Sequence, residues 1–423
     1  MPTMFLPRRI FQWSLATIFV ALVALPLFQQ IAKTPPDRPL SGIRARVREF
    51  PKWTFKAWRR GIFAAETDSW IRDNVGFRGY LISINRQIRY SLFGSVEVPP
   101  LRKRALVVGR KPVLFENILL VDALRPPQIS PETMDAFGFR LARMQRLLRE
   151  QGMAFLVILA PNKAFLYPDD LPSWARDRVA ETPLSDHVAF IDALRRHGVH
   201  HLDSMALFRK NGLRDMVPPH GIHWSNHGAW VAWQEAIPAI NAQSLLPAIP
   251  VPETVDMVEA RPTAMNDELR AQLNLFFAAH GKPVPSLYPV AGPVPPECEG
   301  MLRVLIVGDS FGFTLADALA RSRLCGDIRY WFYMKSAKVA VPASYDSREK
   351  RVLDGVAGIG NLTGSDSGGR RMLENRNLVI LAITTFNIDK YTWGFDRLIN
   401  RLYGDPADNL PLGEEIVEVN LGD

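Results

Sequence analysis

Cysteine is almost absent from this chain: 423 residues carry two, Cys298 and Cys325. That scarcity excludes a disulfide-stapled scaffold and zinc-finger arrays of paired cysteines. A charge surplus is missing too, once the first 60 residues are set aside. Of 51 Lys+Arg and 43 Asp+Glu, Met1–Arg60 holds 11 and 2, which leaves 40 and 41 for the rest. A neutral body without a nucleic-acid signature argues against a role on DNA or RNA. Internal repeats are lacking, and no cofactor is expected. The composition, 47% hydrophobic and 22% charged, is globular and leaves room for a large core or two domains.

The basic surplus belongs to an N-terminal segment. Arg8-Arg9 precede an apolar stretch from Ile10 to about Phe28, broken only by Gln12, Ser14 and Thr17. It is short for a membrane span and similar to the apolar core of a signal peptide. No small-x-small cleavage site follows, which favours an uncleaved anchor. Lys33, Arg38, Arg44, Arg46 and Arg48 outnumber the charges before the span, so a strict positive-inside count puts the body in the cytoplasm. These charges also suit anionic lipid headgroups.

Thr34 to Pro39 reads as a stiff linker. Helical patterns follow at Trp58–Ile71 and around Ile82–Tyr90, then strands at Ala105–Gly109 and Lys111–Phe115. A helix spans Ser130–Glu150, with Ser130 as N-cap and Pro131 at its first position. Phe155–Ala160 is a buried strand. A helix from Pro183 to His197 and a strand at Val199–Leu202 come next, and this alternation predicts a parallel sheet with helices on both faces. The Pro- and Ala-rich stretch Leu245–Pro296 reads as an insertion with one helix near Asn266–His280. A strand is expected at Ile328–Met334, a mobile loop at Asp346–Arg371, and a last core strand at Leu378–Ile383.

Chemistry concentrates at Val304–Gly312. The apolar run Val304–Val307 ends in Gly308-Asp309-Ser310, and a helical pattern starts at Phe313. Ser310 then sits at a helix N-terminus beyond a strand's carboxyl end, where open α/β sheets bind ligands. Free backbone N–H groups there can stabilise an oxyanion, and the hydroxyl can attack an acyl carbon if a base takes its proton. A plain βα turn with serine as N-cap fits the same residues. Cys298 and Cys325 bracket this unit, either closing a small loop or standing as two free buried thiols.

His220-Gly221-Ile222-His223-Trp224 followed by Gly228-Ala229 offers the base. Beside Ser310, His223 would accept the hydroxyl proton and return it to the leaving group. A competing reading places His220, His223 and His227, at i, i+3 and i+7, around zinc. Gly221 and Ser225-Asn226 are weak helix residues and no acid is interleaved, so no metal site is assigned.

Gly308-Asp309-Ser310-Phe311 with His223-Trp224 and Gly228-Ala229 resembles the SGNH-hydrolase-like alginate O-acetyltransferases of the AlgJ/AlgX type. Trp70–Asn74 with Phe77-Arg78, Asn85–Phe93, Val107–Gly109 leading to Leu114-Phe115, and Pro161-Asn162-Lys163 with Tyr167-Pro168 fit the same family. The resemblance implies an α/β SGNH-hydrolase-like parallel sheet flanked by helices. It divides the chain into an anchor (1–33), a basic linker with amphipathic helices (34–100) and an SGNH-like domain (101–423) with an insertion at about 245–297. It further implies a periplasmic enzyme held at the inner membrane, against the strict charge count. Such an enzyme moves acetyl groups onto polysaccharide hydroxyls and is fed by a membrane-bound O-acyltransferase partner. Ser310 becomes the nucleophile, His223 the base, and Gly308, Asp309 and Asn387 the oxyanion and supporting positions.

One position departs from that family, which has Asp-x-His-Trp where this chain has Gly221-Ile222-His223-Trp224. Loss of the orienting carboxylate costs on the order of 10⁴ in rate in serine-protease triads. Three outcomes remain open: an acid from elsewhere (Asp215 and Asp203 are nearest in sequence), a Ser–His dyad, or a chain that only binds glycan or scaffolds an export complex. A carbohydrate acetylesterase is a further alternative.

Overall fold

The computed structural model describes residues 8–42, 49–97, 104–110, 113–181, 185–210, 216–261, 264–277, 281, 284–340, 356–360 and 365–405. The chain divides into two compact units: Met1–Val98 with Arg270–Ala279, and Pro99–Leu269 with His280–Asp423.

The first unit is helical: α1 (Arg8–Ala32), α2 (Phe55–Arg59), α3 (Ile62–Asn74) and α4 (Arg78–Phe93). Within α1, Ile10–Ala32 is long and apolar enough to cross a bilayer, and its 18-residue apolar window is unburied. Gln29, near the end of α1, accepts a hydrogen bond from Phe77 N–H at 3.1 Å and donates to the Pro35 carbonyl at 3.0 Å. A Cβ on Gly76 would lie 1.9 Å from the Pro26 carbonyl oxygen, so only glycine permits this approach of the two segments. The left-handed Gly94 (φ 62°) ends α4.

The second unit contains eleven described strands. In chain order they are β1 (Leu106–Val108), β2 (Leu114–Glu116), β3 (Ala154–Ala160), β4 (His201–Asp203), β5 (Thr254–Ala260), β6 (Ser286–Ala291), β7 (Leu302–Gly308), β8 (Cys325–Phe332), β9 (Ser336–Ala340), β10 (Val356–Gly360) and β11 (Leu378–Thr384). Seven form the main sheet, in the order β10-β9-β8-β7-β11-β3-β4. From β8 to β4 all neighbours are parallel, while β9 and β10 are antiparallel.

Alternating residues of each central strand feed two cores. Ala154, Leu156, Ile158, Val304, Ile306, Leu378 and Ile380 face one; Phe155, Val157, Leu305, Val307, Val379 and Leu381 face the other. Both sides are buried, which is why these strands read as unbroken apolar runs. The first core is covered by α5 (Asn117–Leu124), α7 (Lys163–Leu166), α10 (Ser204–Lys210), α11 (Asn226–Asn241) and α13 (Gly312–Arg321), with α8 (Ser173–Glu181) beside α5. The second is covered by α6 (Pro131–Glu150), α9 (Ser185–Arg196), α14 (Asp366–Leu373) and α15 (Phe395–Tyr403). Ser130 caps α6, its Oγ accepting from Thr133 N–H at 3.2 Å. The remaining helix, α12 (Ala264–Gln272), belongs to the second unit as far as Leu269.

Several expectations need correction. Of residues 346–371, where a mobile loop is expected, 346–355 and 361–364 lie outside the described residues, and the rest include β10 and the first six residues of α14. The strand expected at Ile328–Met334 starts at Cys325 and stops at Phe332, since Tyr333 and Met334 take positive φ (48° and 57°) and turn the chain into β9. The expected insertion contains the antiparallel β5–β6 pair and α12. Cys298 and Cys325 are free and buried, so the loop-closing disulfide is not formed. Burial pushes the Cys325 thiol far above its ordinary pKa and leaves no thiolate to react. Neither thiol should therefore react with a water-soluble aromatic disulfide until the protein is unfolded, a result read directly from released thiolate absorbance.

Candidate active site

The site forms where β7 and β11 end side by side. Gly308 closes β7, and a Cβ there would fall 2.3 Å from the Ala382 carbonyl oxygen. Asp309 follows, 1% exposed. Its Oδ2 accepts from Thr384 N–H at 2.8 Å, Thr384 Oγ1 at 2.7 Å and Asn387 Nδ2 at 2.9 Å, while Oδ1 accepts from Phe311 N–H at 3.2 Å. Burial pushes the Asp309 carboxyl up and these four donors pull it back. Asp309 is thus the knot that ties the serine turn to the end of β11. Asn387 spends its amide on Asp309 and, at 3.0 Å, on Thr384 Oγ1. Ser310 is half-buried, two residues before α13.

The histidine arrives on the loop before α11. Ser225 caps that helix through Gly228 N–H at 2.9 Å, and Ser225 N–H returns to the Met216 carbonyl at 2.7 Å. Gly228 permits the packing, because a Cβ would sit 2.4 Å from the Met216 oxygen. The fully buried Trp224 donates its indole N–H to the Phe311 carbonyl at 3.0 Å, joining the histidine loop to the serine turn. His223 Nε2 is then 2.8 Å from Ser310 Oγ. Ser310 and His223, 87 residues apart in sequence, meet at hydrogen-bond distance.

The carboxylate comes from a residue that sequence reasoning passed over. Glu268, in the first turns of α12, places Oε1 3.0 Å from His223 Nδ1 and accepts Ile222 N–H at 2.9 Å on the same oxygen. With a carboxylate at Nδ1 the ring proton belongs there, and Nε2 is left to accept from the serine. The neighbouring Asp267 faces His220 Nδ1 at 3.2 Å, so two successive acids on α12 meet two histidines of one loop. Acids early in a helix are ordinary for dipole reasons, and the pair gave no distinctive signal.

Asp215 lies outside the described residues. Asp203 is committed elsewhere: it meets His187 Nε2 at 3.1 Å and accepts from Met205 and Ala206 N–H at 3.0 and 3.1 Å. Burial raises its pKa, but His187 and those N–H groups more than offset it, and the net shift is downward. A native pKa below the unfolded value adds stability that is complete above about pH 4 and is lost as pH falls through the native value. Asp203→Asn should therefore cost about 1 kcal/mol at neutral pH and flatten the acid limb of a urea-midpoint profile.

The zinc arrangement loses its premise, because His220 and His223 precede α11 and only His227 lies in it. Among the described residues no three potential ligands gather.

Beneath the histidine loop lies Lys163, with none of its surface exposed. Its Nζ donates to the Leu114, Pro219 and Gly221 carbonyls at 2.8, 2.6 and 2.9 Å. Burial pulls its pKa well down and the Glu268 carboxylate pulls it back up. Three acceptors require three N–H donors, which only the protonated amine has. Lys163 is an ammonium that pins β2 and the histidine loop together.

Residues 123–282 match the family described as the SGNH hydrolase-like domain of the acetyltransferase AlgX. The match takes in His223 and Glu268 and ends before Ser310. No curated protein matches the chain. Among solved structures, the O-acetyltransferase domain of Pseudomonas putida AlgJ is 18% identical, covering 70% of this chain and 99% of its own, with a TM-score of 0.40. Pseudomonas aeruginosa AlgX is 14% identical over 70% of this chain and 67% of its own, TM-score 0.43. Bacillus cereus PatB1 is 15% identical over 67% and 96%, TM-score 0.43. Through its central segment, this chain is similar to the AlgJ/AlgX-like proteins that carry an SGNH hydrolase-like domain.

Proposed function

We propose that this chain is an exported, membrane-anchored polysaccharide O-acetyltransferase that works through an acetyl-Ser310 intermediate. The observation that carries the reading is the relay Glu268–His223–Ser310, with links of 3.0 and 2.8 Å ending on a half-buried hydroxyl. His223 Nε2 takes the Ser310 proton as Oγ attacks the acetyl carbonyl, and Glu268 steadies the imidazolium that results. The Ser310 N–H stabilises the oxyanion, while Asp309 and Asn387 hold the turn in shape. Collapse expels the donor's leaving group, which takes the proton from His223. A sugar hydroxyl then attacks the acetyl-serine, giving its proton to His223, and the released Ser310 recovers it. A membrane-bound O-acyltransferase supplies the acetyl group, and α1 holds the chain at that membrane, with the second unit in the periplasm. The scaffolding alternative drew on Gly221, and Glu268 supplies the acid that Gly221 lacks.

Intact-mass analysis of the full chain with an activated acetyl ester tests the first half of this cycle. One acetyl group should map to Ser310 and be missing from Ser310→Ala and His223→Ala. An adduct that persists in Ser310→Ala would sink the proposal. Adding acetyl-free glycan separates transfer, which acetylates the polymer, from an esterase that releases only acetate.

A further inference from the structure

The first unit displays a surface that acyl transfer does not use. Along α4, Leu81, Ile84, Ile88 and Leu92 are 45%, 46%, 53% and 69% exposed. Steps of three, four and four residues put them in one stripe, while Gly79 and Ser83, on the opposite side, are buried. A surface helix of a soluble protein does the reverse, turning its apolar stripe inward. Around α2 the same unit exposes Phe50, Trp53, Phe55 and Trp58 among the exposed cations Lys52, Lys56, Arg59 and Arg60. No carboxylate occurs from Phe50 to Ala65 or along α4, which adds Arg78 and Arg89, while Arg86 is turned inward onto Glu97.

We infer that α2 and α4 lie in the headgroup layer of an anionic bilayer. The α4 stripe and the aromatics around α2 enter the acyl boundary, and the Lys and Arg side chains meet lipid phosphates. Two properties favour lipid over a protein partner as the occupant. Trp and Phe mixed with Lys and Arg, without acids, is the composition that settles at an anionic membrane interface. The same unit also carries the long apolar helix α1, and the inference rests on the reading of α1 as its membrane anchor. The first unit is then laid flat on the bilayer by three helices instead of trailing from one.

Spin labels on the full chain, in nanodiscs of phosphatidylcholine and phosphatidylglycerol, test this without reference to catalysis. Both native thiols are buried and can stay in place. Labels at Leu81→Cys, Ile84→Cys, Ile88→Cys and Leu92→Cys should show a several-fold higher ratio of oxygen to nickel-chelate accessibility than labels at Glu66→Cys and Arg146→Cys. A label at Leu22→Cys reports α1. Stripe positions as aqueous as Glu66→Cys, with Leu22→Cys in lipid, would overturn the inference and leave the anchor standing. If Leu22→Cys is aqueous as well, both fall. Stripe labels shielded from oxygen and nickel alike would mean that protein covers the face, and would also overturn it.

Discussion

Replacing Glu268 with glutamine should lower kcat for acetyl transfer by about 10²–10⁴, with little change in KM. The amide keeps the shape of the carboxylate and loses its charge. It can still accept from His223 Nδ1–H, but it cannot balance the imidazolium that forms when Ser310 is deprotonated. An amide N–H turned toward Nδ1 would also enforce the wrong tautomer. Glu268 spends its carboxylate oxygen on His223 Nδ1 and Ile222 N–H, so the loss is expected in the chemical step. Glu268→Asp, shorter by one methylene, should fall between the two. Burst kinetics with an activated ester would show the effect in the acylation phase. Full acylation by Glu268→Gln would remove Glu268 from the relay and return the chain to a Ser–His dyad.

The second large effect is expected at Lys163, which touches no substrate. Lys163→Met keeps the length of the side chain and strips the only side-chain donor from the buried Leu114 and Gly221 carbonyls, while the Pro219 carbonyl keeps Leu114 N–H at 2.9 Å. Each orphaned acceptor costs about 1–3 kcal/mol, partly offset because no ammonium remains to be desolvated. A net loss of about 2–5 kcal/mol in a urea titration is expected on that basis. The surviving folded fraction should also turn over more slowly, because Pro219 and Gly221 lie on the loop that carries His223. A misplacement of about 1 Å in such a group is enough to cost 10²-fold. Wild-type urea midpoints would show that the loop is held by its other bonds, chiefly the Trp224 tie to Phe311.

Residues near in sequence made part of this molecule readable and left the rest hidden. Phe155–Ala160, Val304–Val307 and Leu378–Ile383 could be recognised as buried strands because both faces are covered, which produces unbroken apolar runs. Ser310 and His223 could be picked out because each sits in a turn built from short-range signals. Glu268 could not. It lies 45 residues beyond His223 on a helix of ordinary composition, and only the packing of α12 brings the two together. Lys163 stood out as part of Pro161-Asn162-Lys163, yet its three acceptors are backbone carbonyls of β2 and the histidine loop and carry no side-chain signature. The β9–β10 hairpin was missed because its strands are short and lie among Gly, Ser and charged residues.

The placement of Glu268 bears on how sequences of this kind are sorted. A search keyed to the string Asp-x-His-Trp would file this chain among the inactive pseudoenzymes, since Gly221 stands where the acid is sought. The structure shows a carboxylate reaching Nδ1 of His223 from a different segment of backbone. On this reading the acid is the member of the triad free to migrate along the chain, while serine and histidine stay with their turns. Chains that carry glycine at that position are better judged by whether an early turn of a later helix, as α12 here, offers an acid than by the string alone.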